Sequence, residues 1–429
     1  MDDPSDHVAT HSQSVAIMML KSALYTAVLA VVTAVLNFVY ANYDIPTEDI
    51  YFAFPLPQPV LYVLSLFTTL SVGEHLGTIN LLSPDVIAKA AASEIRTGHF
   101  VSLNLPIQLP SKPSFHRQAP AVKLLPLHND MNLVSVPVRD DEIHMNSQVR
   151  PFASAYVAVL WTERLSLQSG TQWDGLRHFG ILKGMCFYQG IPSEDVRVGA
   201  IVVDDPLNID TKELELGIHH WAATGISGRG VLLDMVNFYE KDGSALPYDP
   251  CTTHTVPLAD IKACAVSQNI VFCTGDILIL RMGWTRRYLF ESSAEEKAHW
   301  GEGGNETFAG VENSDEMKEW LWENHFAAVA SDQPAFEAWP PREGQVHLHS
   351  TVIAMYGSPI GTATSDRKVA ETRFWRDLLM LVHITGEFFD CERLSEVAKE
   401  LNRYTFFFNS APLCILGGAA SLANASALF

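Results

Sequence analysis

The chain has 429 residues, of which 48% are hydrophobic and 18% are charged, and its formal net charge at pH 7 is −20. A chain of this length and composition can bury a substantial core, as one large domain or two average ones. The negative charge argues against a nucleic-acid partner, because binding to phosphates needs clustered lysine and arginine and the sequence has no basic stripe.

An apolar segment near the N-terminus, residues 22–40, has the length that a helix needs to cross a bilayer. The first six residues, MDDPSD, are acidic, whereas a secretory signal begins with a basic region. We therefore expect a cytoplasmic protein. A membrane anchor through residues 22–40 is the alternative.

Helices and short strands alternate along the rest of the chain. Residues 83–96 begin with Ser and Pro and have apolar residues at helical spacing, which predicts a capped helix. The pattern predicts three further helices, at residues 258–266, 317–323 and 392–401. Short apolar runs predict buried strands at residues 198–203, 231–233, 277–280 and 327–330. The chain is predicted to have a mixed α/β fold with a single main domain.

The segment 168–178, QSGTQWDGLRH, concentrates side chains that bind metals or transfer protons. An extended backbone would place Gln172 and Asp174 on one face and Trp173 on the other. His178 follows Asp174 by four residues, so a helical turn would bring the imidazole back over the carboxylate. The segment therefore predicts a compact polar site.

At these residues the chain resembles the cyclase-like family of metal-dependent hydrolases, which includes kynurenine formamidases and isatin hydrolases and has a large fungal branch. The family pattern is His-x-Gly-Thr-His-x-Asp-x-x-x-His, and Gly170, Thr171, Asp174 and His178 match it. Further segments follow in the family's order, at residues 77–84, 228–234, 275–284, 330–334 and 347–349. The resemblance implies a cyclase fold of swivelling β/β/α character, with a metal site at one end of a mixed sheet.

The resemblance also implies a divalent metal, Mn²⁺ or Zn²⁺, and residues that hold it and move protons. Its implied catalytic residues are Asp174 and His178, with His178 as the general acid or base. The implied metal ligands are Gln168, Gln172, Asp174, His349 and Glu387. Positions 168 and 172 carry glutamine where the pattern has histidine, and a carboxamide oxygen suits Mn²⁺ or Mg²⁺ better than Zn²⁺.

Three residues are candidates for substrate binding. Trp173 and Tyr188 could stack on an aromatic substrate such as N-formylkynurenine, although aromatic residues beside a buried strand are also typical of a core. Arg177 could bind a substrate carboxylate in a bidentate fork, or form a structural salt bridge.

The leading functional hypothesis is a metal-dependent hydrolase of an N-formyl or cyclic amide, resembling the arylformamidase (kynurenine formamidase) of tryptophan catabolism. One alternative is a cyclase or lactonase of fungal secondary metabolism, and another is a non-catalytic or misassembled family member. The expected partner is a small-molecule substrate. The resemblance also implies a homo-oligomer.

Compared with the family, residues 1–50 form an N-terminal extension and residues 51–429 form the hydrolase domain. Residues 149–168 and 362–386 are atypical insertions, because relatives join the flanking segments directly. We hypothesise that both insertions, and possibly part of the N-terminus, are unspliced introns or gene-model errors, with genuine surface insertions as the alternative. Sequencing of the mature transcript distinguishes the two.

Overall fold

The computed structural model describes residues 75–115, 117, 123–126, 139–142, 145–146, 165–166, 168–181, 185–196, 205, 209, 214–300, 306–342, 344–354 and 384–429. All of them belong to one compact unit, formed by His75–Ser365 and Leu379–Phe429. The apolar segment 22–40, most of both predicted insertions and the predicted strand 198–203 lie outside the described residues. Among the residues that are described, no helix is long and apolar enough to cross a membrane.

A nine-stranded mixed sheet is the centre of the unit. In chain order the described strands are β1 (Phe100–Ser102), β2 (Lys123–Pro126), β3 (Arg139–Glu142), β4 (Met145–Asn146), β5 (Leu165–Ser166), β6 (Gln172–Asp174), β7 (Ile226–Asp234), β8 (Thr255–Val256), β9 (Ile277–Arg281), β10 (Gly310–Val311), β11 (Ala328–Ser331), β12 (Ile384–Glu387), β13 (Thr405–Ser410), β14 (Ala420–Leu422) and β15 (Ala425–Leu428). The large sheet has the order β1-β15-β13-β7-β9-β11-β12-β6-β14. Three small two-stranded sheets pair β10 with β8, β2 with β3 and β4 with β5.

Four adjacent strands of the large sheet, β7, β9, β11 and β12, run parallel to one another. Strands β9 and β11 are buried along their whole length, which agrees with their nearly continuous apolar sequences. Because the four strands are parallel, their carboxyl ends meet at one edge of the sheet. Ligands of open α/β sheets bind in the crevice at this edge.

Helices pack around the sheet, and four of the eight described α-helices lie where the sequence predicts them. The described α-helices are α1 (Pro84–Glu94), α2 (His219–Thr224), α3 (Met235–Glu240), α4 (Leu258–Ser267), α5 (Trp284–Arg286), α6 (Ala294–Trp300), α7 (Asp315–Glu323) and α8 (Glu392–Glu400). Short 3-10 turns cover Gly77–Leu81 and Tyr188–Gly190, and π-helical turns cover Arg287–Glu291 and Ser350–Ala354. The Ser83 side chain accepts from the main-chain N–H of Val86, as expected of the N-cap of α1. The predicted helices in α1, α4, α7 and α8 and the predicted strands in β7, β9 and β11 are confirmed, as is the mixed α/β class.

The ends of both predicted insertions form strands in the part of the chain that the structure describes. Thr385 and Gly386, assigned to the end of the second insertion, lie in β12 and pair with Val329 and Ala330 of β11. Strand β5, from the first insertion, pairs with β4. Residues 384–386 are therefore part of a central strand, and the remainder of segment 362–386 lies outside the described residues.

Candidate active site

Strands β6 and β12 bring the two halves of the site together. They are antiparallel, with Gln172 opposite Glu387 and Asp174 opposite Thr385. Residues directly opposite each other share a face of the sheet, so these four side chains lie on one face. The Nε2 atom of Gln172 donates to Glu387 Oε2 at 2.8 Å and to Asp174 Oδ1 at 3.1 Å. The predicted alternation along β6 is confirmed.

The turn after β6 returns His178 to the carboxylate of Asp174. The main-chain N–H of His178 donates to the Gly175 carbonyl at 2.8 Å, and His178 Nε2 lies 3.7 Å from Asp174 Oδ2. Gln168 Nε2 donates to Asp174 Oδ1 at 2.9 Å and lies 2.5 Å from His178 Nδ1. The predicted proximity of Asp174 and His178 is thus confirmed, and Gln168 contacts both.

The second half of the site is built around His349, which lies between two glutamates. Its Nδ1 is 2.8 Å from Glu337 Oε1, and its Nε2 is 3.1 Å from Glu387 Oε1. Glu337 also accepts from the main-chain N–H groups of Leu348 and His349, at 2.8 and 3.0 Å. Glu337 therefore fixes both the loop and the imidazole.

The sequence reasoning missed Glu337, although a signal for it exists. Glu337 is the one charged residue in the run PAFEAWPP, and it is fully buried. An acidic residue within an apolar run is rarely buried unless it is paired. This pattern indicates a buried partner, but it does not say that the partner is His349.

Asp174, His349 and Glu387 form a group that could hold a metal ion. Each is buried and offers one ligand atom, and these atoms all lie within 4.8 Å of one another. Carboxylate oxygen and imidazole nitrogen are ligands of both Mn²⁺ and Zn²⁺.

Unpaired oxygens around this group show that it fits a cation. Gln168 Oε1, Gln172 Oε1 and Asp174 Oδ2 are buried and accept no hydrogen bond. Buried polar atoms normally have partners, and oxygen is the atom through which a carboxamide binds cations. Rotation of each amide exchanges its nitrogen and its oxygen, so either position can present the oxygen. The donor set therefore suits a divalent ion.

Burial and neighbouring charges shift the pKa values of three residues in the site. Burial and repulsion from Glu387 raise the pKa of Asp174 to about 7. Burial alone would lower the pKa of His349, but its hydrogen bonds to Glu337 and Glu387 raise that pKa to about 10. Burial would raise the pKa of Glu337, but its bonds to His349 hold that pKa below its usual value. A proton on His349 offsets part of the repulsion among the three carboxylates.

The three candidate substrate-binding residues, Trp173, Tyr188 and Arg177, all make contacts within the protein. Trp173 lies on the opposite face of β6 from Asp174, and its Nε1 donates to Ser410 Oγ at 2.9 Å. Tyr188 is buried within the main hydrophobic core. Arg177 is buried, and its Nε and Nη1 donate to the carbonyls of Glu215 and Gly417 at 2.5 and 2.8 Å. These contacts support packing and loop bracing, and they do not support direct contact with a substrate.

The ring of Phe179 lies beside the histidine rings of the site. Its ring centroid is 5.7 Å from that of His349, 6.1 Å from that of His178 and 5.4 Å from that of His347. The ring centroid of Trp339 lies 5.4 Å from that of His347. Aromatic side chains therefore lie beside the histidines of this part of the structure.

Replacing Glu337 with glutamine is expected to weaken metal binding and to destabilise the protein. The amide cannot accept from all the donors that face Glu337, and we expect a loss of about 3 kcal/mol in the free energy of unfolding. Loss of the carboxylate that orients a histidine ligand typically lowers metal affinity about 10- to 100-fold. Urea unfolding and Mn²⁺ titration measure the two effects.

Asp332→Asn is the matched control for this variant. The Asp332 carboxylate is buried and accepts from the main-chain N–H groups of Met282 and Gly283 at 2.6 and 2.7 Å. This variant is expected to lose stability and to retain metal affinity. Equal metal affinities of Glu337→Gln and the unmodified protein would contradict the orienting role of Glu337.

Solved structures of other proteins are similar to this chain to different degrees. A crystal structure of a novel cyclase is 24% identical, covers 83% of this chain and 96% of that chain, and superimposes with a TM-score of 0.58. This similarity is one of fold. Isatin hydrolase A from Ralstonia solanacearum is 14% identical, with a TM-score of 0.42, over 80% of this chain and 95% of its own. A predicted metal-dependent hydrolase from Bacillus stearothermophilus is 13% identical, with a TM-score of 0.36, over 77% of this chain and 98% of its own.

A search of curated proteins gives no match. The model of the family described as Putative cyclase, in contrast, matches residues 5–338, which is most of the chain. On this match, the chain belongs to the Putative cyclase family.

Proposed function

We propose that this protein is a metal-dependent hydrolase of amide C–N bonds, acting on an N-formyl or cyclic amide as an arylformamidase does. The observation that carries the proposal is the buried group of Asp174, His349 and Glu387, with ligand atoms within 4.8 Å of one another. Membership in the Putative cyclase family agrees with this chemistry.

Different residues of the chain would hold the metal ion and transfer the proton in such a reaction. When bound, a divalent ion supplies a Lewis acid for the carbonyl and lowers the pKa of water. Asp174, His349 and Glu387 would hold the ion, while Gln172 bridges the two carboxylates. His178 has its Nε2 beside Asp174 and is the group placed to take up a proton and return it to a leaving nitrogen.

The two glutamines favour Mn²⁺ over Zn²⁺ in this site. Gln168 and Gln172 can offer only amide oxygen, which is a harder and weaker donor than imidazole. With His349 as the one imidazole in the metal group, the donors are mostly oxygen. We therefore propose Mn²⁺ as the resident ion.

The test of this proposal combines metal analysis with an activity assay. The purified full chain is expected to bind Mn²⁺ and, once loaded, to hydrolyse N-formylkynurenine or a cyclic amide. Removal of the metal with a chelator should abolish hydrolysis, and Mn²⁺ should restore it more fully than Zn²⁺. A protein that binds neither ion, or that hydrolyses these amides equally well in chelator, would overturn the proposal.

Restoring histidine at position 172 is expected to reverse the metal preference. An imidazole added beside Asp174 and Glu387 should raise the affinity for Zn²⁺ by roughly 10-fold or more relative to Mn²⁺. Competitive titration of the two ions against Gln172→His measures the change. Gln345→His is the control, because Gln345 Nε2 donates to the Asn313 carbonyl, whereas Gln172 Nε2 donates to Asp174 and Glu387. An unchanged preference in Gln172→His would show that position 172 does not reach the ion.

The homo-oligomer predicted from the family resemblance remains a prediction, as does membrane association through residues 22–40.

A further inference from the structure

Gln333 is buried without any hydrogen bond to its side chain. Its side chain is fully buried, and both Nε2 and Oε1 lack partners. No other buried carboxamide in the described part of the molecule lacks partners at both its nitrogen and its oxygen. Such groups destabilise a fold, and native proteins contain few of them. A ligand that pairs with the amide would explain its retention.

The position of Gln333 places this amide at the carboxyl edge of the parallel strands. It comes two residues after the end of β11, where its main-chain N–H donates to Ser331 Oγ at 3.3 Å. Its main-chain oxygen accepts from the N–H of Phe388 at 3.0 Å, and Phe388 directly follows Glu387. One hydrogen bond therefore connects Gln333 to the segment that carries a candidate metal ligand.

A second unpaired group lies in the same region. Thr385 is buried, and its Oγ1 has no hydrogen-bond partner. Thr385 lies opposite Asp174 and two residues before Glu387, on the face of the sheet that carries the metal group. Gln333 and Thr385 thus both keep polar atoms that no hydrogen bond satisfies.

We propose that Gln333 is a specificity-determining residue that binds the amide group of the substrate. Its Nε2 donates to the amide carbonyl, and its Oε1 accepts from the amide N–H. This inference rests on the amide hydrolysis proposed above. A carboxamide pairs in this way with an amide whose C=O and N–H point to the same side, as they do in a cyclic amide. A site that hydrogen-bonds a substrate N–H strongly rejects an analogue that lacks it.

The test uses Gln333→Met and a pair of cyclic amides. Binding of 2-oxindole and of N-methyl-2-oxindole, which lacks the N–H, is measured by calorimetry on the full chain in chelator. The unmodified protein is expected to bind 2-oxindole at least about 10-fold more tightly than its N-methyl analogue. In Gln333→Met that preference should disappear, with 2-oxindole weakened by at least about 10-fold.

The same variant gives a second readout that a structural role would not produce. Methionine removes a buried donor and acceptor without leaving a cavity, so Tm should rise by about 2–4 °C. Gln345→Met is the control, because the paired amide of Gln345 should leave affinity unchanged and Tm no higher.

Each outcome bears on the inference. A fall in Tm, or an unchanged affinity for 2-oxindole in Gln333→Met, would overturn the role of Gln333. If the unmodified protein still hydrolyses N-formylkynurenine, the proposed function stands in either case. If the unmodified protein neither binds 2-oxindole nor hydrolyses the formamide, both proposals fail together.

Discussion

Asparagine at position 174 is expected to abolish metal binding and hydrolysis without destabilising the protein. The Asn Oδ1 can still accept from Gln168 and Gln172, as Asp174 Oδ1 does now. The carboxylate charge that a cation needs is lost, however, and we expect kcat/KM to fall by roughly 10⁴-fold. Mn²⁺ titration and the formamide assay measure these losses.

The stability of Asp174→Asn follows from the sign of the pKa shift. The pKa of Asp174 rises from 3.8 to about 7 in the folded protein, so its contribution to stability is lost as the pH rises through about 7. At pH 8 the folded protein holds a buried carboxylate beside Glu387. In chelator at that pH, Asp174→Asn should therefore be more stable by on the order of 2 kcal/mol.

Glu94→Gln is the control for this result. Glu94 is also buried, and burial alone would raise its pKa, but its hydrogen bonds from Arg403 and Thr405 hold that pKa below the usual value. Its replacement should cost stability and leave Mn²⁺ affinity unchanged. Retention of metal affinity in Asp174→Asn, or a loss of stability at pH 8, would show that Asp174 is a structural residue.

Local periodicity was enough to predict the first half of the site. The alternation along β6 and the four-residue spacing from Asp174 to His178 are properties of neighbouring residues, and both are confirmed. Which face of a strand packs against the core, in contrast, depends on residues far away in the sequence. Trp173 was a candidate for substrate contact, yet its face packs against the Phe389 ring at 5.2 Å.

The second half of the site, around His349, depends on contacts between residues that are far apart in the sequence, which local patterns cannot predict. Glu387 meets Gln172 across 215 positions of the chain, and the sequence placed it there only through the family resemblance. Glu337 was missed because its partner, His349, lies 12 positions further along the chain, beyond the reach of strand or helix periodicity. For Arg177 the sequence left a substrate carboxylate and a structural salt bridge as alternatives, and in the structure two main-chain carbonyls, those of Glu215 and Gly417, take up two of its donors.

Metal binding should depend steeply on pH, because a cation must displace protons from its ligands. The pKa values of Asp174 and His349 are raised to about 7 and about 10, so protons compete at both groups below pH 7 and mainly at His349 above it. From pH 6 to pH 8, we expect the apparent Mn²⁺ affinity to rise by roughly 10³-fold, about 10² of it from His349 and about 10 from Asp174.

Calorimetry in buffers of different ionisation enthalpy separates the two contributions. Binding at pH 6 should release about two protons, and binding at pH 8 about one. Phosphate precipitates Mn²⁺ and should be avoided as the buffer. An affinity that rises by no more than about 10-fold over this range, which Asp174 alone accounts for, would show that His349 is not protonated before binding. Glu337 and Glu387 would then hold a neutral imidazole, and the repulsion between Asp174 and Glu387 would have to be relieved by another cation.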